Sequence, residues 1–272
     1  LMHHVFHSQP WIFVPEPARV RALYEAHGRP QRVPRGGTLK REGEPARLFF
    51  LLRGLCGYLI NEDRPRSQIL GLILPGRSMG DVTCLTGRRV NVHTVALRES
   101  EVLTLRPQIL QEAMRADCDM ALTVARATAI KLECAMEGMM INNAAEPHER
   151  LAVLMRTLLN AFPAGVQPGF NPLPLGLSTE ELAAVTHTTR VTVSRVLSRW
   201  QSQALVRKAG RSILVSDRLF DGLVAPTPAD WADDAAPWDG SGAHSVAASA
   251  LATACESRTP DDARARTGRA TR

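Results

Sequence analysis

Apolar residues recur with two different periods along this chain, and the change of period divides it. Over residues 33–105 short apolar runs alternate with glycine: Leu48-Phe49-Phe50-Leu51-Leu52 precedes Gly54 and Gly57, and Ile69-Leu70-Gly71-Leu72-Ile73-Leu74 precedes Pro75-Gly76. Short strands punctuated by turns at this spacing predict an antiparallel barrel or roll. Beyond Pro107 no proline occurs until Pro147, and Cys118, Leu122, Ala125, Ala129, Leu132, Met136 and Met139 recur at alternating steps of four and three. That is a heptad seam, and it predicts one long helix. Val124 and Ile130 fall off the seam. A helix with a second apolar face can pack on the β-domain and still offer its seam to a second copy; a helix packed only on its own domain is the alternative.

Glu146-Pro147 interrupts the period, and proline fits a helix only in its first turn, so a new helix is expected from there to Ala161. Residues 162–176 hold four prolines and three glycines and read as a loop. Ser178-Thr179-Glu180-Glu181 then sets a hydroxyl three residues before a carboxylate, a capping box that opens a helix containing Leu182-Ala183. Thr189 caps a second helix, Arg190 to Trp200. Ala183 is small enough for a close crossing, and Val193 and Val196 recur where the second helix turns back toward the first. This leaves Arg190, Val191, Ser194 and Arg195 on the outer N-terminal face of the second helix. Arginine there can bond guanine through two hydrogen bonds, serine can bond a base or a phosphate, and valine can touch a thymine methyl. Further on, Arg207-Lys208-Ala209-Gly210-Arg211 leads into Ser212-Ile213-Leu214-Val215, two short strands around a basic turn that can lie on a phosphate backbone.

Charge supports that reading by position rather than by total. The chain of 272 residues has a net charge of +6, but residues 178–220 alone carry seven basic side chains against three acidic ones, whereas residues 221–272 carry eight acids against five arginines. The length suits two domains with cores of their own. Five cysteines, at 56, 84, 118, 134 and 255, make no C-x-x-C pair, so free thiols are expected; Cys118 and Cys134 are read as apolar packing groups. No apolar run approaches the ~20 residues that span a bilayer, and a cytoplasmic protein without a membrane partner is expected.

With these residues in view, the chain resembles the Crp/Fnr family of transcription regulators over roughly residues 33–223. The most specific parts are Ser178-Thr179-Glu180-Glu181-Leu182-Ala183 and Arg190-Val191-Thr192-Val193-Ser194-Arg195, with Arg35-Gly36-Gly37-Thr38-Leu39, Glu42-Gly43-Glu44 and Leu74-Pro75-Gly76 in the β-domain. The resemblance implies an α+β fold: a cyclic-nucleotide-binding-like β-roll, a long dimerisation helix and a C-terminal winged helix-turn-helix. It also implies a homodimer on a palindromic site in double-stranded promoter DNA, with RNA polymerase as a further partner. Ser178, Thr189, Arg190, Val191, Ser194, Arg195, Lys208 and Arg211 are the DNA-binding candidates. His187 replaces the glycine usual in the turn, Thr186 replaces an apolar residue, and Val191 replaces an acidic residue that much of the family uses to read a base.

A cyclic-nucleotide pocket of this family needs a glycine–acid pair for the ribose and an arginine followed by serine or threonine for the phosphate. Gly80-Asp81 fits the first, but Arg88-Arg89-Val90 does not supply the second, and Ala135 and Met136, near the purine positions, lack hydroxyls. Gly80, Asp81, Arg88 and Arg89 are therefore effector candidates without cyclic AMP as the expected effector. The iron–sulfur branch carries an N-terminal cysteine cluster, and here no cysteine precedes Cys56; a lone His93 is a poor basis for haem. The signal is left unidentified. The domains expected are an N-terminal extension (1–32), β-roll sensor (33–106), dimerisation helix (107–145), winged helix-turn-helix (146–225) and disordered tail (226–272). An enzyme finds no support, because nucleotide, metalloprotease and nucleophile-elbow motifs are missing. An effector-binding module that contacts protein or RNA is the other alternative.

Overall fold

Two four-stranded antiparallel sheets form the first half of the computed structural model, which describes residues 9–60, 67–162, 164–210 and 212–223. The strands are β1 (Arg29–Val33), β2 (Thr38–Lys40), β3 (Leu48–Arg53), β4 (Cys56–Ile60), β5 (Gln68–Ile73), β6 (Ser78–Met79), β7 (His93–Ala96) and β8 (Ser100–Leu105). One sheet runs β1-β8-β3-β6 and the other β2-β7-β4-β5. Val33, Phe49, Leu51, Met79 and Val102 from the first meet Leu39, Cys56, Ile73 and Ala96 from the second in one buried cluster. The expected β-roll is therefore present.

Its start lies earlier than residue 33. Residues 9–32 are part of the domain: Trp11, Ile12 and Phe13 are buried, Ile12 bridges Leu72, and the Leu72 amide donates to the Trp11 carbonyl at 2.6 Å. Helix α1 (Ala18–His27) stacks Tyr24 on Phe50 with ring centroids 5.4 Å apart, and β1 pairs with β8 over five residues. Trp-Ile-Phe is a run too short to declare itself between prolines, and its burial comes from partners distant in sequence. Trp11 holds a φ of 61°. A bulky side chain adopts that backbone only at a cost, which full burial of the indole offsets.

The single long helix expected after Pro107 is two: α3 (Pro107–Ala116) and α4 (Cys118–Ala144). Asp117 is extended (φ −146°, ψ 108°), and its carboxylate accepts from the Asp119 amide at 2.9 Å and the Met120 amide at 3.1 Å. The break is thus a helix cap, a role that a short acidic side chain plays well, and Arg19 of α1 pairs with the same carboxylate. Helix α4 has two faces. Val124, Ala127, Thr128, Lys131, Cys134, Gly138 and Ile141 are buried on the β-domain, and Ile130 is half-buried beside them. At Gly138 the indole of Trp11 comes so close that a Cβ would lie 2.4 Å from the ring. Every seam residue named above, from Cys118 to Met139, is exposed in the single chain, Leu122 at 57% and Met136 at 56%.

A buried ionic cluster ties α4 to the sheets. Lys131 Nζ donates to Asp81 Oδ2 at 2.7 Å and Ser78 Oγ at 2.9 Å and pairs with Glu16, while the Ser78 amide donates to Glu16 at 3.0 Å. Asp81 opens α2 (Asp81–Thr86), and Thr128 Oγ1 donates to it at 3.2 Å. Burial pushes the Asp81 carboxyl up, but the Lys131 ammonium outweighs that and holds it below the usual carboxylate range. Lys131 itself is raised: burial lowers it, and the two carboxylates more than compensate.

Helix α5 (Pro147–Asn160) begins at the predicted proline with a capping box between Glu146 and Glu149. The stretch 162–176, expected as loop, contributes a short strand β9 (Phe170–Pro172). Then follow α6 (Thr179–Val185), α7 (Arg190–Ser202), β10 (Val206–Ala209) and β11 (Ser212–Ser216), with a sheet order β10-β11-β9. Leu154, Leu158, Leu182, Val193, Leu197, Trp200 and Val215 pack together, and the same cluster continues into Ile12, Leu59 and Leu72 of the β-domain. The tail expected as disordered, 226–272, lies outside the described residues.

Replacing Lys131 by methionine should leave two buried carboxylates without the ammonium they bond, with only the more distant charges of Lys40 and Arg77 beside them. A loss of about 3–5 kcal/mol at pH 7 is expected in urea unfolding. Because unpaired buried carboxyls take up protons more readily, native Lys131→Met binds more protons than its unfolded chain, and the deficit should shrink as pH falls toward about 5. A deficit that stayed constant or grew in acid would contradict this account of the cluster.

Candidate nucleic-acid interface

The interface starts from the two helix caps that the sequence spelled out. Ser178 Oγ accepts from the Glu181 amide at 3.1 Å while the Ser178 amide donates to Glu181 Oε2 at 2.8 Å, the reciprocal bonds of a capping box. Thr189 Oγ1 accepts from the Thr192 amide at 3.1 Å and starts α7. Between the helices Thr186 is completely buried without an apolar side chain, because its hydroxyl donates to the Leu182 carbonyl at 2.8 Å. His187 takes the left-handed turn position with φ 48°. Histidine enters that region more readily than most residues, so the turn keeps its shape without glycine. Partial burial, and after it the positive charge of Arg150, push the His187 imidazole below its ordinary pKa.

Ala183 and Val193 are both buried, as the crossing of two helices at close range requires, and the Thr188 amide donates to the Ala183 carbonyl at 2.9 Å. That crossing turns the opposite face of α7 outward. Arg190, Val191, Ser194 and Arg195 are all exposed, Val191 at 58%, and together with Ser198 they line one shallow surface depression. Ser198 was not among the sequence-derived candidates. The signal for it was there, since it follows Ser194 by four residues and Arg195 by three, on the same helical face. Arg190 lies 3.5 Å from Glu180, both side chains about two-thirds exposed, a pairing too solvated to hold the guanidinium back. The face therefore presents two guanidinium groups, two hydroxyls and one branched apolar group.

Strands β10 and β11 pair from Val206↔Val215 to Ala209↔Ser212, and Gly210 follows β10 with φ 59°. A tight hairpin needs a positive φ at its first turn residue. Alternation along β10 sends neighbouring side chains to opposite faces. Arg207 stacks on Phe170 with its guanidinium 4.0 Å from the ring centre, and Lys208 is exposed. Arg211 lies outside the described residues.

The four effector candidates differ in exposure, Gly80 and Asp81 being buried and Arg88 and Arg89 exposed. Gly80 has a φ of 97° and passes so close to Arg47 that a Cβ would lie 2.0 Å from its carbonyl oxygen, which fixes glycine there for backbone reasons. Asp81 is turned inward onto Lys131 and is buried. Arg88 and Arg89 are exposed beyond α2, and Arg89 donates to the Gly43 carbonyl at 2.8 Å. Cys134 is buried and Cys118 exposed. Among the described residues no cluster of histidine, cysteine and acidic side chains could hold a metal ion, and no helix is long and apolar enough to cross a membrane.

Comparison with known proteins agrees with this division of the chain. Residues 30–117 match the cyclic nucleotide-binding domain model, and residues 149–219 match the Crp-like helix-turn-helix domain model. No curated protein matches by sequence. Among solved structures, FixK2 from Bradyrhizobium japonicum is 22% identical, over 71% of this chain and 96% of its own, with a TM-score of 0.62. The c-di-GMP-responsive global regulator CLP of Xanthomonas campestris is 19% identical over 74% and 99% of the two chains, with a TM-score of 0.60. A CRP-family transcriptional regulator from Thermus thermophilus, TTHB099, is 25% identical over 70% and 95%, with a TM-score of 0.57. Since both domain models match in the order that these neighbours share, the chain belongs to the Crp/Fnr family of DNA-binding transcription regulators.

Proposed function

We propose that this chain is a sequence-specific regulator that binds a palindromic promoter site in double-stranded DNA as a homodimer, under the control of a signal received by the β-domain. The observation that carries the reading is the outer face of α7, where Arg190, Val191, Ser194 and Arg195 stand exposed on a helix mounted by two caps. A helix of this diameter enters a major groove, and its N-terminal residues reach base edges. Lys208 sits on a hairpin that reaches phosphates, Arg211 is a further phosphate-binding candidate, and the exposed Ser178 at the start of α6 stands where its side chain can meet a phosphate. Thr189 serves by starting α7 at the right residue. The family resemblance extends the reading to RNA polymerase as a partner at the promoter.

The dimer rests on α4. Its seam of Cys118, Leu122, Ala125, Ala129, Leu132, Met136 and Met139 is exposed while the other face of the same helix is covered, an apolar stripe too long to be scattered surface residues. Two such seams in contact along a twofold axis bury each other, and the alanines permit close approach. Ala129→Glu with Leu132→Glu should bring desolvated like charges together there and yield a monomer in sedimentation at micromolar concentration. An unchanged dimer would move the interface elsewhere.

Genome-wide mapping of bound DNA supplies the site on which base reading and phosphate binding can be separated. Arg195→Ala should cost about 1–3 kcal/mol on that site and relax preference at one base pair in each half-site. Lys208→Ala should weaken all sequences alike and flatten the salt slope by roughly one unit for each phosphate that is no longer neutralised. Equal weakening of specific and random DNA by Arg195→Ala would make Arg195 a phosphate-binding residue and disprove the groove placement.

A further inference from the structure

Helix α6 is held at both ends by parts of the molecule outside the helix-turn-helix. At its C-terminal end Asn142 Nδ2, near the end of α4, donates to the Val185 carbonyl at 2.9 Å. Arg150 joins it, with Nε on the Ala145 carbonyl at 2.7 Å and a terminal nitrogen on the Thr186 carbonyl at 3.3 Å. At the N-terminal end the hold comes from the β-domain. Arg98, in the turn between β7 and β8, sets its two terminal nitrogens on the Glu181 carboxylate at 2.5 and 3.0 Å. One of them also donates to the Gly176 carbonyl at 2.9 Å and the Leu175 carbonyl at 3.3 Å, just ahead of α6. Arg98 is itself on a firm mount: the Leu97 and Arg98 amides donate to the Leu55 carbonyl at 2.8 and 3.2 Å, and Ser100 Oγ donates to the Arg98 carbonyl. The pair is largely shielded, with side-chain exposures of 30% for Arg98 and 12% for Glu181.

We propose that Arg98 is a positioning residue for DNA binding: its fork on Glu181 fixes the angle at which the helix-turn-helix, and so α7, stands relative to α4. The proposal rests on the dimeric DNA-binding reading given above. A planar guanidinium that meets a carboxylate through two bonds and a loop through two more fixes direction as well as distance, which an ammonium cannot do. With Asn142 and Arg150 as the attachment at the other end, α6 cannot swing about the end of α4 without breaking Arg98 away. Glu181 is also the carboxylate of the capping box, so the latch grips the same atom group that starts the helix. The outer face of α7 stays exposed while the latch is closed, and the latched arrangement is the one that presents it.

A palindromic site demands two recognition helices in one fixed relation, whereas a single half-site demands only one. Loss of the latch should therefore be felt through the effective concentration of the second helix at its half-site, not through the bonds made by the first. Binding is measured on a palindromic duplex and on a duplex with one half-site. Arg98→Ala should weaken the palindrome about tenfold and leave the half-site within about twofold, the loss expected for charge-assisted hydrogen bonds at this exposure. Arg98→Lys, which keeps the charge but not the fork, should fall between. Glu181→Gln retains a side chain that capping boxes accept and should match Arg98→Ala. The double variant should be no worse than either single one. Hydrogen exchange of the α6 amides reads the latch without DNA and should quicken about tenfold in Arg98→Ala. Additive losses in the double variant, equal weakening of both duplexes, tighter binding of the palindrome or unchanged α6 exchange would each overturn the proposal. Failure of the unmodified chain to bind either duplex would sink the DNA-binding reading instead, and α6 exchange would still decide for or against the latch.

Discussion

Burial of the Lys131 ammonium between Asp81 and Glu16 is the constraint on which the rest of the molecule turns. A charge taken out of water is tolerated only with close counter-charges and satisfied hydrogen bonds, and here the counter-charges come from two places 65 residues apart in the β-domain sequence. One lies in the N-terminal segment and the other at the start of α2. The cluster therefore fixes which face of α4 points inward, and by the same rotation it fixes which face points away. Cys134 and Gly138 follow Lys131 on the inner face, where the indole of Trp11 fills the space that glycine leaves. The apolar seam on the other side owes its exposure to this orientation.

Helix α4 thus transmits geometry in two directions. Its outer seam faces a second copy in the proposed dimer, and its C-terminal end carries α6 through the Asn142–Val185 bond. The β-domain touches the same small helix again through Arg98. Two separate parts of the chain thus hold the seven residues of α6, and an apolar cluster that includes Ile12 and Trp200 makes the two domains one continuous core. Packed side chains and directed hydrogen bonds thus join the β-domain to the helix-turn-helix. The inward turn of Asp81 belongs to the same logic, since its carboxylate supports α4 through Lys131.

Local chemistry made much of this protein readable from its residues alone. Ser178, Glu181 and Thr189 cap helices through bonds to amides three residues away, so their roles depend on nothing remote, and the outward face of α7 follows from its period. The same holds for the Gly210 hairpin, the proline start of α5 and the heptad seam. His187 in a left-handed turn is again a matter of one residue's backbone. What the sequence could not disclose depends on partners far along the chain. Trp11 to Phe13 become a buried edge beside β5 only because Leu72 and Gly138 receive them, and Asp117 ends one helix and caps the next in a stretch that no proline or glycine punctuates. Lys131 looks like any solvated lysine until Glu16 and Asp81 are brought to it, and Arg98 and Glu181, 83 residues apart, meet only when the second domain docks on the first. Period and caps are short-range properties written residue by residue, whereas burial of charge and the docking of domains are decided by which distant groups the fold brings within hydrogen-bond reach.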